Sequence, residues 1–135
     1  MSKALVVLDT NVIVSAFITA SGKPARILRM VLERRFDLCY NSIILAEYEG
    51  VTARVKFAKT IDQNNVKRFI DILRTIGVSF VPQASSVPLI DETDRIFYDT
   101  AKDSNSILIT GNVKHFPKEH FIMLPSDFLN VHDVQ

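Results

Sequence analysis

The segment that decides the fold is Ala4-Leu5-Val6-Val7-Leu8-Asp9-Thr10-Asn11, near the start of the 135-residue chain. Five apolar residues in a row are typical of a strand that is buried on both faces. Three polar residues end this run, and Asp9 is the first of them. Ligands of open parallel sheets bind outside the carboxyl ends of the strands, so this position predicts a functional acid. The alternative is that Asp9 only caps the following helix, a role that Thr10 or Asn11 is equally expected to fill.

Three further segments are predicted to be strands: Asp37–Tyr40, Val78–Val81 and Ile107–Ile109. Apolar residues recur at helical spacing between them, most clearly from Gln63 to Thr75. The tail is expected to add a short helix and an edge strand. Strands that alternate with helices predict one domain over residues 1–135, with a parallel sheet covered on both sides.

Composition indicates an ordinary globular protein. Hydrophobic residues make up 47% and charged residues 23%, with only 4 Gly and 5 Pro, which excludes disordered and low-complexity classes. No apolar stretch approaches the ~20 residues of a membrane helix, and no secretory signal is found, so a cytoplasmic protein without membrane contact is expected. The single cysteine, Cys39, excludes an internal disulfide and is expected to be a buried thiol.

The charges are unevenly distributed along the chain. Residues 23–74 contain 11 basic and 6 acidic residues, whereas residues 85–135 contain 4 basic and 8 acidic ones. One half is therefore suited to attract a polyanion while the other gathers carboxylates. The alternative is a chance excess of charge on solvated helix faces.

Glu47 is predicted to lie on or beside an apolar helix face. It stands four residues after Ile43, three after Ile44 and four before Val51. A buried carboxylate is costly unless a cation or a metal pairs with it. The alternative is a glutamate at the edge of the apolar face that reaches water.

Asp94 repeats this pattern in a later helix. It precedes Phe97 by three residues and Ala101 by seven, which places all three on one face. The alternative is that Asp94 closes a capping box that begins at Asp91, which is itself expected to be a cap. Asp99, four residues after an arginine, is interpreted as a solvated charge.

Asp9, Glu47 and Asp94 together predict a site for a hard divalent cation, Mg²⁺ or Mn²⁺, since both ions prefer oxygen ligands. Other chemistries find less support. The sequence has no glycine-rich phosphate loop and no HExxH motif, and its histidines lack ligand spacing with cysteines.

Four segments, in order, resemble the motifs of the PIN-domain family, and within it the toxin-like (VapC-type) ribonucleases of toxin–antitoxin pairs. They are Leu8-Asp9-Thr10-Asn11-Val12, Ser42-Ile43-Ile44-Leu45-Ala46-Glu47-Tyr48, Asp91-Glu92-Thr93-Asp94-Arg95-Ile96-Phe97, and Ile107-Leu108-Ile109-Thr110-Gly111-Asn112. The resemblance spans nearly the whole chain. It implies a three-layer α/β/α sandwich with a central, mainly parallel sheet, and metal-dependent cleavage of RNA.

The resemblance also assigns residues. Asp9, Glu47 and Asp94 become catalytic, metal-binding carboxylates. Asn112 stands at the fourth position, where many members have Asp, so the pocket holds three fixed negative charges; His115 is a possible stand-in, although a surface histidine is the simpler interpretation. The residues expected to orient ligands or waters are Thr10, Asn11 and Thr110.

The implied partners are an RNA substrate, a small antitoxin protein and a second copy of the chain. The residues that contact RNA cannot be identified from the sequence; Arg26, Arg29, Arg54, Lys56 and Lys59 are the candidates. Two alternatives stay open. One is a non-catalytic module that binds RNA or protein, and the other is a receiver-like phosphoryl-transfer domain with Asp9 after its first strand.

Overall fold

The computed structural model describes residues 3–132, which form a single parallel sheet with helices around it. The strands are β1 (Leu5–Leu8), β2 (Asp37–Tyr40), β3 (Val78–Ser79), β4 (Ile107–Ile109) and β5 (Ile122–Met123). The helices are α1 (Thr10–Ile18), α2 (Lys23–Leu32), α3 (Ser42–Thr52), α4 (Gln63–Ile76), α5 (Arg95–Ser104) and α6 (Pro125–His132). Short 3₁₀ turns occupy Val55–Phe57, Glu92–Asp94 and Val113–His115.

The strand order is β3-β2-β1-β4-β5, and every pairing is parallel. Consecutive residues of a strand point to opposite faces, and Val6, Val7 and Leu8 are all fully buried. Both faces of the sheet are therefore covered, which confirms the three-layer α/β/α sandwich.

The strand order reverses at β1. From β1 the chain adds β2 and β3 on one side, and β4 and β5 on the other. The crevice outside the carboxyl ends of β1 and β4 is thus the topological switch point, where open α/β sheets bind ligands. Asp9 and Thr110 are the residues that follow these two strands.

The third strand is shorter than the sequence predicts. Residues 78–81 were expected to be extended and paired, but β3 ends at Ser79. Phe80 still donates its backbone N–H to Tyr40 (N···O 2.9 Å). Pro82 has no N–H to donate, so the pairing cannot continue along the segment that follows.

Asp99 was expected to be solvated, and this prediction was wrong. The residue is 1% exposed. Its carboxylate accepts hydrogen bonds from the Ser85 hydroxyl (2.6 Å) and the Ser85 backbone N–H (2.9 Å). Arg95 donates to the carbonyls of Ser85 (2.8 Å) and Val87 (2.7 Å). Asp99 and Arg95 therefore fasten the irregular segment 80–90 onto α5.

Two further expectations, on Cys39 and on the tail, are met in the described part of the chain. The Cys39 thiol is buried and lies 3.3 Å from the Ser106 hydroxyl. The tail supplies β5 and α6, as predicted. No helix within residues 3–132 is long and apolar enough to cross a membrane.

Candidate active site

Asp9 is fixed at the end of β1 by hydrogen bonds from both sides of its carboxylate. Its Oδ1 accepts from the Thr10 backbone N–H (2.8 Å), and its Oδ2 accepts from the Thr110 hydroxyl (2.7 Å). Its own N–H donates to Ile109 (3.0 Å), so the pairing of β1 with β4 extends to this residue. Asp9 is only 6% exposed, and burial raises its pKa while the bonds from Thr110 and Thr10 oppose that rise. Asp9 is thus both the helix cap and a residue of the crevice.

Asn11 ties the segment after β1 to the segment after β4. Its amide nitrogen donates to Asp9 Oδ2 (3.4 Å), and its amide oxygen accepts from the Gly111 N–H (3.1 Å). The Asn112 N–H donates in turn to the Thr110 hydroxyl (3.1 Å). The two loops are therefore held together around one carboxylate, which is the arrangement expected of residues that orient a ligand-binding group.

Glu47 is half-buried on α3, and the residue next to it anchors that helix to the sheet. The buried Tyr48 hydroxyl donates to the Leu8 carbonyl (2.6 Å), the last residue of β1. Asn41 caps the other end of the helix by accepting from the Ile44 N–H (3.0 Å). Tyr48 thus brings α3, and with it Glu47, to the end of β1 that carries Asp9. Ile43, expected on the apolar face of this helix, is instead 56% exposed.

Asp94 lies where the 3₁₀ turn Glu92–Asp94 meets α5, and its side chain is 17% exposed. Burial, together with the negative charge of Asp9, raises its pKa to about 6, and Asp91 and Glu47 add to the rise. Asp91 caps the turn as predicted, because it accepts from the Thr93 N–H (2.9 Å) and hydroxyl (2.8 Å). A carboxyl group whose pKa is raised by its acidic neighbours marks a functional-site candidate.

These carboxylates share one open cleft of about 500 Å³. Its walls hold most of the residues that the sequence singled out, and they also hold residues considered as RNA contacts, as a cap or as a stand-in for the fourth acid. The first group comprises Asp9, Thr10, Asn11, Glu47, Asp94 and Asn112, and the second comprises Arg54, Lys56, Asp91 and His115. Thr110 lies behind Asp9, where it is fully buried.

Two other basic candidates lie elsewhere. Lys59 lines a separate depression beside Thr60 and Asp62. Arg29, on α2, donates to the carbonyl of Ala20 (2.9 Å), which lies between α1 and α2. The spacing of apolar residues in the sequence does not separate Lys59 and Arg29 from the two cleft residues, because all four basic side chains are exposed.

The residues around the cleft fit a hard divalent cation. The Thr10 hydroxyl is buried and has no hydrogen-bond partner within residues 3–132, which leaves a polar atom free beside Asp9. Carboxylates that raise one another's pKa are also stabilised by an added positive charge. Within the same residues, however, no three His, Cys, Asp or Glu side chains form a complete set of metal ligands. Mg²⁺ is usually bound by one or two carboxylates, with water molecules in its remaining coordination positions.

Comparison with known proteins identifies the family to which the chain belongs. The PIN-domain family model matches residues 5–114. The uncharacterized protein MJ1680 of Methanocaldococcus jannaschii is 30% identical over 111 residues, which cover 82% of this chain and 72% of that protein. The crystal structure of VapBC2 from Rickettsia felis, bound to a DNA fragment from its promoter, has the same fold. It superposes with a TM-score of 0.59 at 20% identity, over 89% of this chain and 96% of that one. The chain belongs to the PIN-domain family.

Proposed function

We propose that this protein is a Mg²⁺- or Mn²⁺-dependent endoribonuclease that acts as the toxin of a toxin–antitoxin pair. The observation that carries the proposal is the convergence of Asp9, Glu47 and Asp94 on one cleft at the switch point of the sheet. Membership of the PIN-domain family supports a nuclease. The carboxylates supply the oxygen donors that a divalent cation needs.

A divalent cation bound here would lower the pKa of a water and neutralise charge on the scissile phosphate. Asp9 and Asp94 are the proposed ligands, since Asp9 is buried at the end of β1 and the negative charge of Asp9 helps to raise the pKa of Asp94. Glu47 is proposed to contact the ion through water or to take the proton of the attacking water. Thr110 and Asn11 are proposed to hold the Asp9 carboxylate in its binding orientation through their hydrogen bonds.

Arg54 and Lys56 are the proposed contacts to the RNA backbone. Both side chains are exposed and line the same cleft as the carboxylates. Phe57 lies beside them, half-buried, with the Lys56 ammonium 5.1 Å from its ring centroid. Two cations next to an aromatic ring suit a single strand, because cations neutralise phosphates and rings stack on bases.

The proposed partners are a small antitoxin that blocks the cleft and a second copy of the chain, both in the cytoplasm. The support is the Rickettsia felis structure of similar fold, which is a VapBC2 complex bound to promoter DNA. A toxin expressed alone in a bacterial host is expected to arrest growth, and Asp9→Asn is expected to abolish that arrest. Arrest by both proteins, at equal expression, would contradict the proposal.

The direct test is incubation of the purified protein with mixed cellular RNA in Mg²⁺, in Mn²⁺ and in chelator. Asp9→Asn is the test variant. Asp71→Asn is the matched control, because Asp71 is an exposed residue of α4 outside the cleft. We expect cleavage by the wild type and Asp71→Asn with metal only, and none by Asp9→Asn. Equal cleavage by Asp9→Asn, or cleavage in chelator, would contradict the proposal.

A binding-only module is the second candidate, favoured by two observations. The fourth position holds the neutral Asn112, and no complete set of three metal ligands is found among residues 3–132. RNA binding without cleavage, at an affinity that Mn²⁺ does not change, would support this alternative.

A further inference from the structure

His115 lies in the cleft next to the residue that replaces the fourth acid. It ends the 3₁₀ turn Val113–His115, which follows β4 and Asn112. Its backbone N–H donates to the Asn112 carbonyl (3.1 Å), so the turn holds the two residues in a fixed relation. The imidazole is about half-exposed and lines the same wall as Asp9 and Asp94.

The distance from His115 to Asp94 is informative. Nδ1 of the imidazole lies 4.0 Å from Asp94 Oδ2. This separation is too long for a hydrogen bond, which would bring the two atoms to about 2.8 Å. Two donor atoms on opposite sides of one ion, each about 2.1 Å from it, lie about 4.2 Å apart, so the gap matches an ion placed directly between the two side chains.

The surroundings of His115 favour a cation over a simple ion pair. The imidazole is close enough to interact electrostatically with Asp9, Asp91 and Asp94, so it faces a group of acids and not a single partner. The buried Thr10 hydroxyl, which has no partner in the described part of the chain, lies in the same cleft. A bound cation would interact favourably with both the acids and the free hydroxyl oxygen.

We infer that His115 is a nitrogen ligand of the cation, in the place that the neutral Asn112 leaves without an acid. This inference rests on the proposed metal site and adds a donor to it. An imidazole nitrogen favours first-row transition metals, whereas Mg²⁺ prefers oxygen donors. The site is therefore expected to bind Mn²⁺ more tightly than Mg²⁺.

The test is pulsed electron paramagnetic resonance of bound Mn²⁺, combined with Mn²⁺ and Mg²⁺ titrations. The variants are His115→Ala and His115→Asp, and the matched control is His120→Ala, whose exposed ring contacts Phe121 outside the cleft. We expect ¹⁴N coupling to Mn²⁺ in the wild type and His120→Ala, and its loss in both His115 variants. His115→Ala should weaken Mn²⁺ binding about tenfold or more and Mg²⁺ binding less than threefold. His115→Asp should strengthen Mg²⁺ binding relative to the wild type by supplying an oxygen donor.

Mn²⁺ bound to the wild type without ¹⁴N coupling would overturn the inference, and so would a coupling that persists in His115→Ala. If Mn²⁺ binding is nevertheless lost in Asp9→Asn, the proposed metal site is retained and only the role of His115 is rejected. If the wild type binds no Mn²⁺ at all, the proposed site and the role of His115 fall together.

Discussion

Thr110→Val should reveal how strongly the fold supports the Asp9 carboxylate. Thr110 is fully buried, and its hydroxyl makes two contacts: it donates to Asp9 Oδ2 (2.7 Å) and accepts from the Asn112 N–H (3.1 Å). Valine has nearly the shape of threonine, so the packing at this position is kept while both hydrogen bonds are lost. The substitution therefore isolates the polar contribution of the hydroxyl.

The expected loss follows from these two bonds. A hydrogen bond to a charged acceptor contributes about 1.5–3 kcal/mol to stability. Asn112 is half-exposed, so water can replace the acceptor of its N–H at a cost of about 0.5 kcal/mol. We predict that Thr110→Val lowers the free energy of unfolding by about 2–3 kcal/mol, or roughly 10 °C in melting temperature.

The pH dependence of this loss of stability distinguishes the effect of the Thr110–Asp9 hydrogen bond from an effect of packing. The hydrogen bond from Thr110 lowers the pKa of Asp9, so it stabilises the charged form. The loss should be largest at pH values where Asp9 is ionised, and it should shrink as the pH falls through the pKa of Asp9 in the folded state. The assay is urea unfolding of wild type and variant over a range of pH. Thr60→Val is the control, since Thr60 is exposed and donates only to a backbone carbonyl (3.3 Å). A loss below about 0.5 kcal/mol, or one that does not change with pH, would refute the reasoning.

Four further predictions concern Asp94, Asp99 and the basic residues of the cleft. Mn²⁺ affinity should fall about tenfold per pH unit below the Asp94 pKa of about 6, because the proton competes with the metal; an affinity that stays constant from about pH 7.5 to 5 would contradict this. In the metal-free protein, the same raised pKa should make stability increase as the pH falls from about 6 to 4, since the folded state holds a proton that the unfolded state lacks. Asp99→Ala should lower the free energy of unfolding by about 3 kcal/mol, because it removes the acceptor of both Ser85 bonds; a loss under about 1 kcal/mol in urea unfolding would show that segment 80–90 is held otherwise. Arg54→Gln and Lys56→Gln should each weaken RNA binding and lower the slope of log K against log salt by about 0.7, and an unchanged slope would exclude them as phosphate contacts.

Much of the fold was predictable because its signals are local. The run from Ala4 to Leu8 is apolar on both faces, and a strand of that kind belongs at the centre of a parallel sheet. The stripe of α4 (Val66, Phe69, Ile70 and Leu73) is buried as its spacing predicts. The burial of Asp99 was not predictable in this way, because it depends on a contact with Ser85, 14 residues earlier in the chain. The early end of β3, in contrast, has a local signal in Pro82.

The candidate site was predictable in outline, because polar residues at strand ends and within apolar helix faces are unusual. This signal selected Asp9, Glu47 and Asp94, and the structure places all three on one cleft. The position of His115 carried no such signal, since an exposed histidine in a turn resembles any surface residue. Its relation to Asp94 depends on how the segment after β4 folds back over the start of α5, which sequence spacing does not encode.

The most direct measurement is RNA cleavage as a function of free Mn²⁺, with Mn²⁺ occupancy measured on the same sample. If the acidic cleft is a metal-dependent nuclease site, cleavage and occupancy of the wild type should rise together, with the same midpoint. Both should be lost in Asp9→Asn and kept in Asp71→Asn. Cleavage that continues without bound Mn²⁺, or that survives in Asp9→Asn, would contradict the assignment of the cleft as the catalytic site.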